Sequence, residues 1–164
     1  MKTEKNLFQT IFQIPHILNL LFFILVLNSQ EKQLTFILAC TYSCIEFLFT
    51  YGHTTIEQWF VNLNGIPIFI LWPLQYIQNL EVGGKLYVQS ENFVWIFVIL
   101  MFPILIWILE IFEGIWLEIW NNGQNPAWFY ISYDARFGGK IKLGYFFHWL
   151  LMGTGYFGLF YLVQ

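Results

Sequence analysis

The stretch Phe93–Trp120, FVWIFVILMFPILIWILEIFEGIWLEIW, decides the fold. It is apolar for longer than the roughly 20 residues that cross a bilayer. Near its end it carries Glu110, Glu113 and Glu118. A carboxylate held away from water is costly unless it is paired, protonated or functional. Advancing about 100° per residue from Glu110, Glu113, Gly114, Leu117 and Glu118 share one arc of the helix. Ile111, Phe112, Ile115, Trp116 and Ile119 fill the opposite arc. The run therefore predicts a membrane helix with a polar stripe turned from lipid, and Gly114 within that stripe leaves room for a neighbour or ligand.

The rest of the chain fits a membrane setting. Of its 164 residues 58% are apolar and only 10% charged, whereas soluble domains carry roughly 25% charged residues. The net charge of -3 comes with no basic stripe, so nucleic acid is not an expected partner. Membrane lipids, and other membrane subunits, are the expected partners. Cys40 and Cys44 lie four apart in an apolar segment and read as small packing residues on one helix face. The sequence leaves cofactor and metal content open: no H-x-x-x-H or C-x-x-C motif is present, while carboxylates and histidine suit acid/base or metal-binding work alike.

Working outward from the decisive stretch, the hydropathy predicts an all-α, polytopic transmembrane bundle of about five spans in a single domain, 1–164. The spans are Phe8–Leu27, Leu34–Tyr51, Val61–Leu80, Phe93–Trp120 and Leu143–Val163. The first follows Lys2 and Lys5 like a signal peptide, but "NSQEK" after it is no small-x-small cleavage site, so a retained anchor is expected. Pro67 and Pro73 predict a kinked or partly unwound third span. Lys2, Lys5, Arg136, Lys140 and Lys142 fall on one side, against Lys32 and Lys85 on the other. This bias predicts an N-terminus on the cytoplasmic, or matrix-equivalent, side. The aromatic loop Asn121–Lys142, with "PAWFYISY", is too rich in large rings for a solvated linker and should be ordered against the spans.

The same topology gathers polar groups in the inner half of the bilayer. Glu46, Glu110, Asp134 and His148 form the candidate acid/base or ligand cluster, and Tyr42, Gly114, Trp128, Tyr130, Arg136 and Trp149 a surrounding ligand pocket. Glu46 and Glu110 should face each other or a shared cavity. Glu110 should be the most consequential carboxylate, paired with Tyr42, Glu46, Arg136 or His148. Glu118, near the interface, reads as a solvated residue and Glu113 as intermediate. His16 reads as an ordinary polar residue of the first span, and His53 as a loop histidine.

These residues also carry a family resemblance. "YSCIEFLFT" followed by "LEIFEGIWLEIW…PAWFYISYDARFGGKIKLGYFFHW" resembles the ABC-transporter type IV family, in particular its eukaryotic transmembrane protein 229 group. Tyr42, Cys44 and Glu46 match a first element, and Glu110 and Gly114 a second. Pro126, Trp128, Tyr130, Asp134, Phe137 and Gly139 match its loop, and Tyr145 and Trp149 its last span. The resemblance covers about Leu34–Phe160. Between Gly114 and Pro126 this chain is about two residues longer, and Ala127 separates Pro126 from Trp128. The family's name implies transport and brings no defined activity. The chain has no G-x-x-x-x-G-K-[ST] and is not itself a P-loop ATPase. Three function classes stay open. One is a membrane module that binds or processes a small or lipidic ligand. Another is a permease-like subunit using Glu46 and Glu110 as proton or cation sites. The last is a structural subunit of a larger complex, with Gly153, Gly155 and Gly158 at close helix contacts.

Overall fold

The computed structural model describes residues 13–49, 56–78, 81–82, 85–86 and 91–163. The first helix, α1 (Ile14–Leu25), has Pro15 in its first turn, where a missing N–H breaks no helix bond. The predicted start of this span, before residue 13, lies outside the described residues. At Asn28 the chain reverses. Asn28 Oδ1 accepts from the Glu31 amide at 2.9 Å, and Glu31 Oε2 accepts from the Asn28 amide at 2.9 Å. This reciprocal capping box satisfies two orphan donors. It starts α2 (Ser29–Phe49) ahead of the predicted Leu34. Hydropathy alone could not place that start, because the capping residues are polar.

The third predicted span starts earlier and stays helical. Helix α3 (Ile56–Ile66) runs through a wide π turn, Pro67–Leu71, into α4 (Trp72–Gln78). Proline has no N–H to donate. The chain answers by widening one turn, and the Trp72 amide donates to the Pro67 carbonyl. Trp72 Nε1 donates to Glu31 Oε1 at 2.9 Å, tying α4 to the start of α2.

A short ribbon, β1 (Glu81–Val82) with β2 (Lys85–Leu86), precedes the long helix α5 (Glu91–Trp120). Pro103 lies inside α5 and leaves the Ile99 carbonyl without its helical donor. The backbone of Gly153 crosses at this point. A Cβ there would lie 2.8 Å from Phe102 Cβ and 3.3 Å from the Ile99 oxygen. Helix α5 ends in a Schellman turn, with Asn122 at φ 56° and the Gly123 amide donating to the Glu118 carbonyl at 2.8 Å. A second ribbon, β3 (Ala135–Arg136) with β4 (Ile141–Lys142), pairs Ala135 with Lys142 and Arg136 with Ile141. Its turn holds Phe137, Gly138 and Gly139 at positive φ, which two glycines allow at little cost. A 3-10 turn (Leu143–Tyr145) then leads into α6 (Phe146–Val163).

The fold is all-α, with α3 and α5 at its centre. Helix α1 packs on α3, α3 on α2 and α5, and α5 on α6, which also reaches α2. The shared core takes Leu38 and Tyr42 from α2, Ile66 and Ile70 from α3 and its π turn, Ile106 and Leu109 from α5, and Trp149 and Tyr156 from α6. Outside, Ile104, Ile108, Phe112, Ile115 and Ile119 form an exposed stripe down α5. Among the described residues, Ile99–Trp120 is the one segment long and apolar enough to cross a membrane; α1 is apolar but shorter.

Candidate functional site

Glu110 is fully buried on the inner arc of α5. Its Oε1 accepts from the Tyr42 hydroxyl of α2 at 3.1 Å and from the Tyr130 hydroxyl of the loop at 3.3 Å. Aromatic rings hold these phenols in place. Tyr42 stacks on Trp149 at 5.3 Å and 10°. Tyr145 meets Tyr130 edge-on at 5.6 Å and His148 at 5.2 Å. Thus Tyr42, Glu110, Tyr130 and Trp149 come together, and His148 joins them through the Tyr145 ring. The side chain of Glu46, and all of His53, lie outside the described residues.

The aromatic loop packs on the helices in part: Phe129, Ile131, Tyr133 and Phe137 are exposed. Trp128 is buried and its Nε1 donates to the Lys140 carbonyl at 2.8 Å. The Tyr130 amide donates to the Gly139 carbonyl at 2.9 Å. Asn125 opens this segment by accepting from the Ala127 amide at 2.9 Å. The Lys140 side chain then crosses the face of α5. A Cβ on Gly114 would lie 3.0 Å from Lys140 Cγ and Cδ, and Lys140 Nζ reaches Glu118 at 2.7 Å. Gly114 therefore admits a lysine stem rather than a ligand. Glu118 is an ion-paired anchor rather than a freely solvated residue. Its partner Lys140 lies 22 residues along the chain and arrives by the tertiary path of the hairpin.

Arg136 and Asp134 do not join Glu110. Arg136 is exposed, and its Nη1 donates to the carbonyls of Tyr133 and Ala135 at 2.9 and 2.8 Å. The tight hairpin turns this guanidinium back on its own backbone. Asp134 Oδ2 accepts from the Gly144 amide at 2.8 Å, and the Asp134 carbonyl accepts from the Leu143 amide at 3.2 Å. A Ser132 hydrogen bond, helped by the Gly144 amide and Lys142, holds the Asp134 carboxyl below its ordinary value despite partial desolvation. Asp134 is thus a hinge pin between hairpin and α6.

A second polar centre lies one helical turn farther along the same face of α5, on its flank toward α1 and α3. Glu113 is 2% exposed, and His16, Asn19, Gln58 and Asn62 are equally buried. His16 stacks on Phe60 at 5.0 Å, so it is a core residue rather than an ordinary polar one. Asn64 Nδ2 donates to Asn19 Oδ1 at 3.2 Å. Between α1, α3 and α5 a recess of about 260 Å³ is lined by Asn19, Val61, Asn64, Gly65, Ile68, Phe69, Phe112, Glu113 and Trp116. Gly65 makes room for the carboxylate, since a Cβ there would lie 2.8 Å from Glu113 Oε1. The π turn contributes Ile68 and Phe69 to the wall, and such turns recur at functional sites. The sequence signal for this centre was "EQWFVNLNG", amides at helical spacing before a glycine. An uncharged amide interrupts an apolar run less than a charge does, and Gln58 lies ahead of the expected span.

A second recess of about 260 Å³ lies between α2 and α6, lined by Leu38, Thr41, Ile45, His148, Leu151, Met152, Gly155 and Tyr156. Among the described residues no group of His, Cys, Asp and Glu could hold a metal ion. No family model, curated protein or solved structure matches the chain.

Proposed function

We propose that the chain is a polytopic integral membrane protein that binds a small or lipidic ligand in the recess beside Glu113. One observation carries this reading: a carboxylate at 2% exposure lines a recess of about 260 Å³ whose other walls are mostly apolar and aromatic. Ligand sites pair apolar walls with a few placed polar groups. The exposed stripe on α5 and the low charge content support the bilayer setting. In that setting the N-terminus and the Asn121–Lys142 loop lie on the inner side, and the recess is reached from within the membrane past Phe112. The resemblance to the ABC-transporter type IV family belongs to the same reading. Native mass spectrometry of the protein released from membranes tests it. A bound small molecule should be carried by wild type and lost from Ile68→Trp, which adds bulk to the wall. Cysteine-accessibility mapping should place residues 28 and 123 on opposite sides.

The closed hydrogen bonds of Tyr42 and Tyr130 to Glu110 favour a second reading, a structural subunit whose polar groups fix helix packing. Failure of the purified chain to keep its fold outside a larger complex would select it.

A further inference from the structure

The chemistry of the recess beside Glu113 narrows what it takes; this inference rests on the ligand-binding reading above. Among the described residues that line it, the polar groups are Asn19, Asn64, Glu113 and the Trp116 indole, and none is basic. Phe69 and Phe112 stack at 4.7 Å and 17°, and Trp116 extends that aromatic wall. A carboxylate beside aromatic faces attracts an organic cation, because both the charge and the ring quadrupoles favour it.

A second observation concerns donors. Asn19 is 1% exposed and accepts from Asn64 through Oδ1, yet its Nδ2 has no hydrogen-bond partner among the described residues. The Trp116 Nε1 is in the same position. Buried donors are almost always satisfied in folded proteins. Such donors beside a carboxylate suit a head group that carries an oxygen acceptor next to its cation. We infer that the recess holds the head of an amphiphilic amino alcohol. The ammonium lies against Glu113 and the aromatic wall, the neighbouring oxygen accepts from Asn19 Nδ2, and the apolar tail leaves past the exposed Phe112 ring.

Calorimetric titration of the full chain in lipid nanodiscs, with empty nanodiscs as blank, tests this. The probes are 2-amino-1-phenylethanol, 2-phenylethylamine and 1-phenylethane-1,2-diol. The amino alcohol should bind tightest. Loss of the oxygen should cost roughly fivefold, as for one hydrogen bond. Loss of the ammonium should cost about tenfold or more, as for a charge-assisted one. Glu113→Gln should erase the preference for amines, and Asn19→Leu the preference for the hydroxyl. The wild-type ranking decides the matter even if either variant fails to fold. If the diol binds as well as the amines, and Ile68→Trp abolishes that binding, the recess stands as a ligand site but the amino-alcohol assignment falls. If no probe binds wild type above the blank, both readings fall.

Discussion

Replacing Tyr42 by Phe removes one hydroxyl and nothing else. The ring can still stack on Trp149 at 5.3 Å, so the loss reports the 3.1 Å bond to Glu110. Its size depends on what Glu110 is. A hydrogen bond to a charged group contributes about 1.5–3 kcal/mol, whereas neutral bonds between membrane helices average about 0.6 kcal/mol. Glu110 is fully buried, with Oε1 shared by two phenols, an arrangement suited to a carboxylate acceptor. We therefore expect Tyr42→Phe to cost about 1.5–3 kcal/mol in wild type and only about 0.6 kcal/mol in a Glu110→Gln background. Denaturant titration in mixed micelles, followed by tryptophan fluorescence, measures both. Equal small losses in the two backgrounds would mean a neutral acceptor. No loss from Tyr42→Phe or from Tyr130→Phe would refute the network itself.

Gly153→Val should destabilise by about 1–3 kcal/mol, the range for overpacking a filled core, because its Cβ meets Phe102 Cβ at 2.8 Å. Gly155→Ala, with nothing within 4 Å, should be neutral or stabilise by up to about 1 kcal/mol through helix propensity; the same titration compares them. Glu118→Gln should cost at most about 1 kcal/mol, as for a partly exposed ion pair. Lys140→Ala should cost more, since it also uncovers Gly114, and a double-mutant cycle separates the two shares. The Asp134 carboxyl is held below its ordinary 3.8 in the fold. The hairpin's added stability is therefore present above that value and is lost as pH falls through the lowered one. Hydrogen exchange of the Gly144 amide should accelerate there, and Asp134→Asn should remove that pH dependence.

Helix identity was legible because long apolar runs leave few alternatives, and α5 ends at Trp120 as the sequence implied. Tyr42 was legible as a partner of Glu110 because it lies at a matching depth on a neighbouring span; Tyr130 was legible only as part of the surrounding pocket, because the reach of a loop residue is not set by span depth. The π turn was not legible, because Pro67 is compatible with a kink, a break or a widened turn, and only packing selects one. The lysine over Gly114 was not legible either. Its reach depends on a hairpin turn with three consecutive positive φ values at Phe137, Gly138 and Gly139. Amides were the larger blind spot. A charge inside an apolar run stands out, whereas Asn19, Asn62 and Asn64 look like ordinary helix residues until α1 and α3 are laid side by side.

The bond from Tyr42 to Glu110 spans 68 residues of chain and crosses the seam between α1–α4 and the α5–α6 pair. The core packed across that seam is apolar, and apolar helix faces tolerate sliding. A slip of one helical turn, about 5.4 Å, trades one set of methyl groups for another. It also carries the phenol away from the carboxylate, which keeps Tyr130 but loses its donor from α2. The buried polar contact therefore acts as a register mark. If the chain were divided between Gly83 and Gly84 and its two parts were made separately, apolar burial would bring them together, but the tyrosine and the glutamate would decide at which turn they stop.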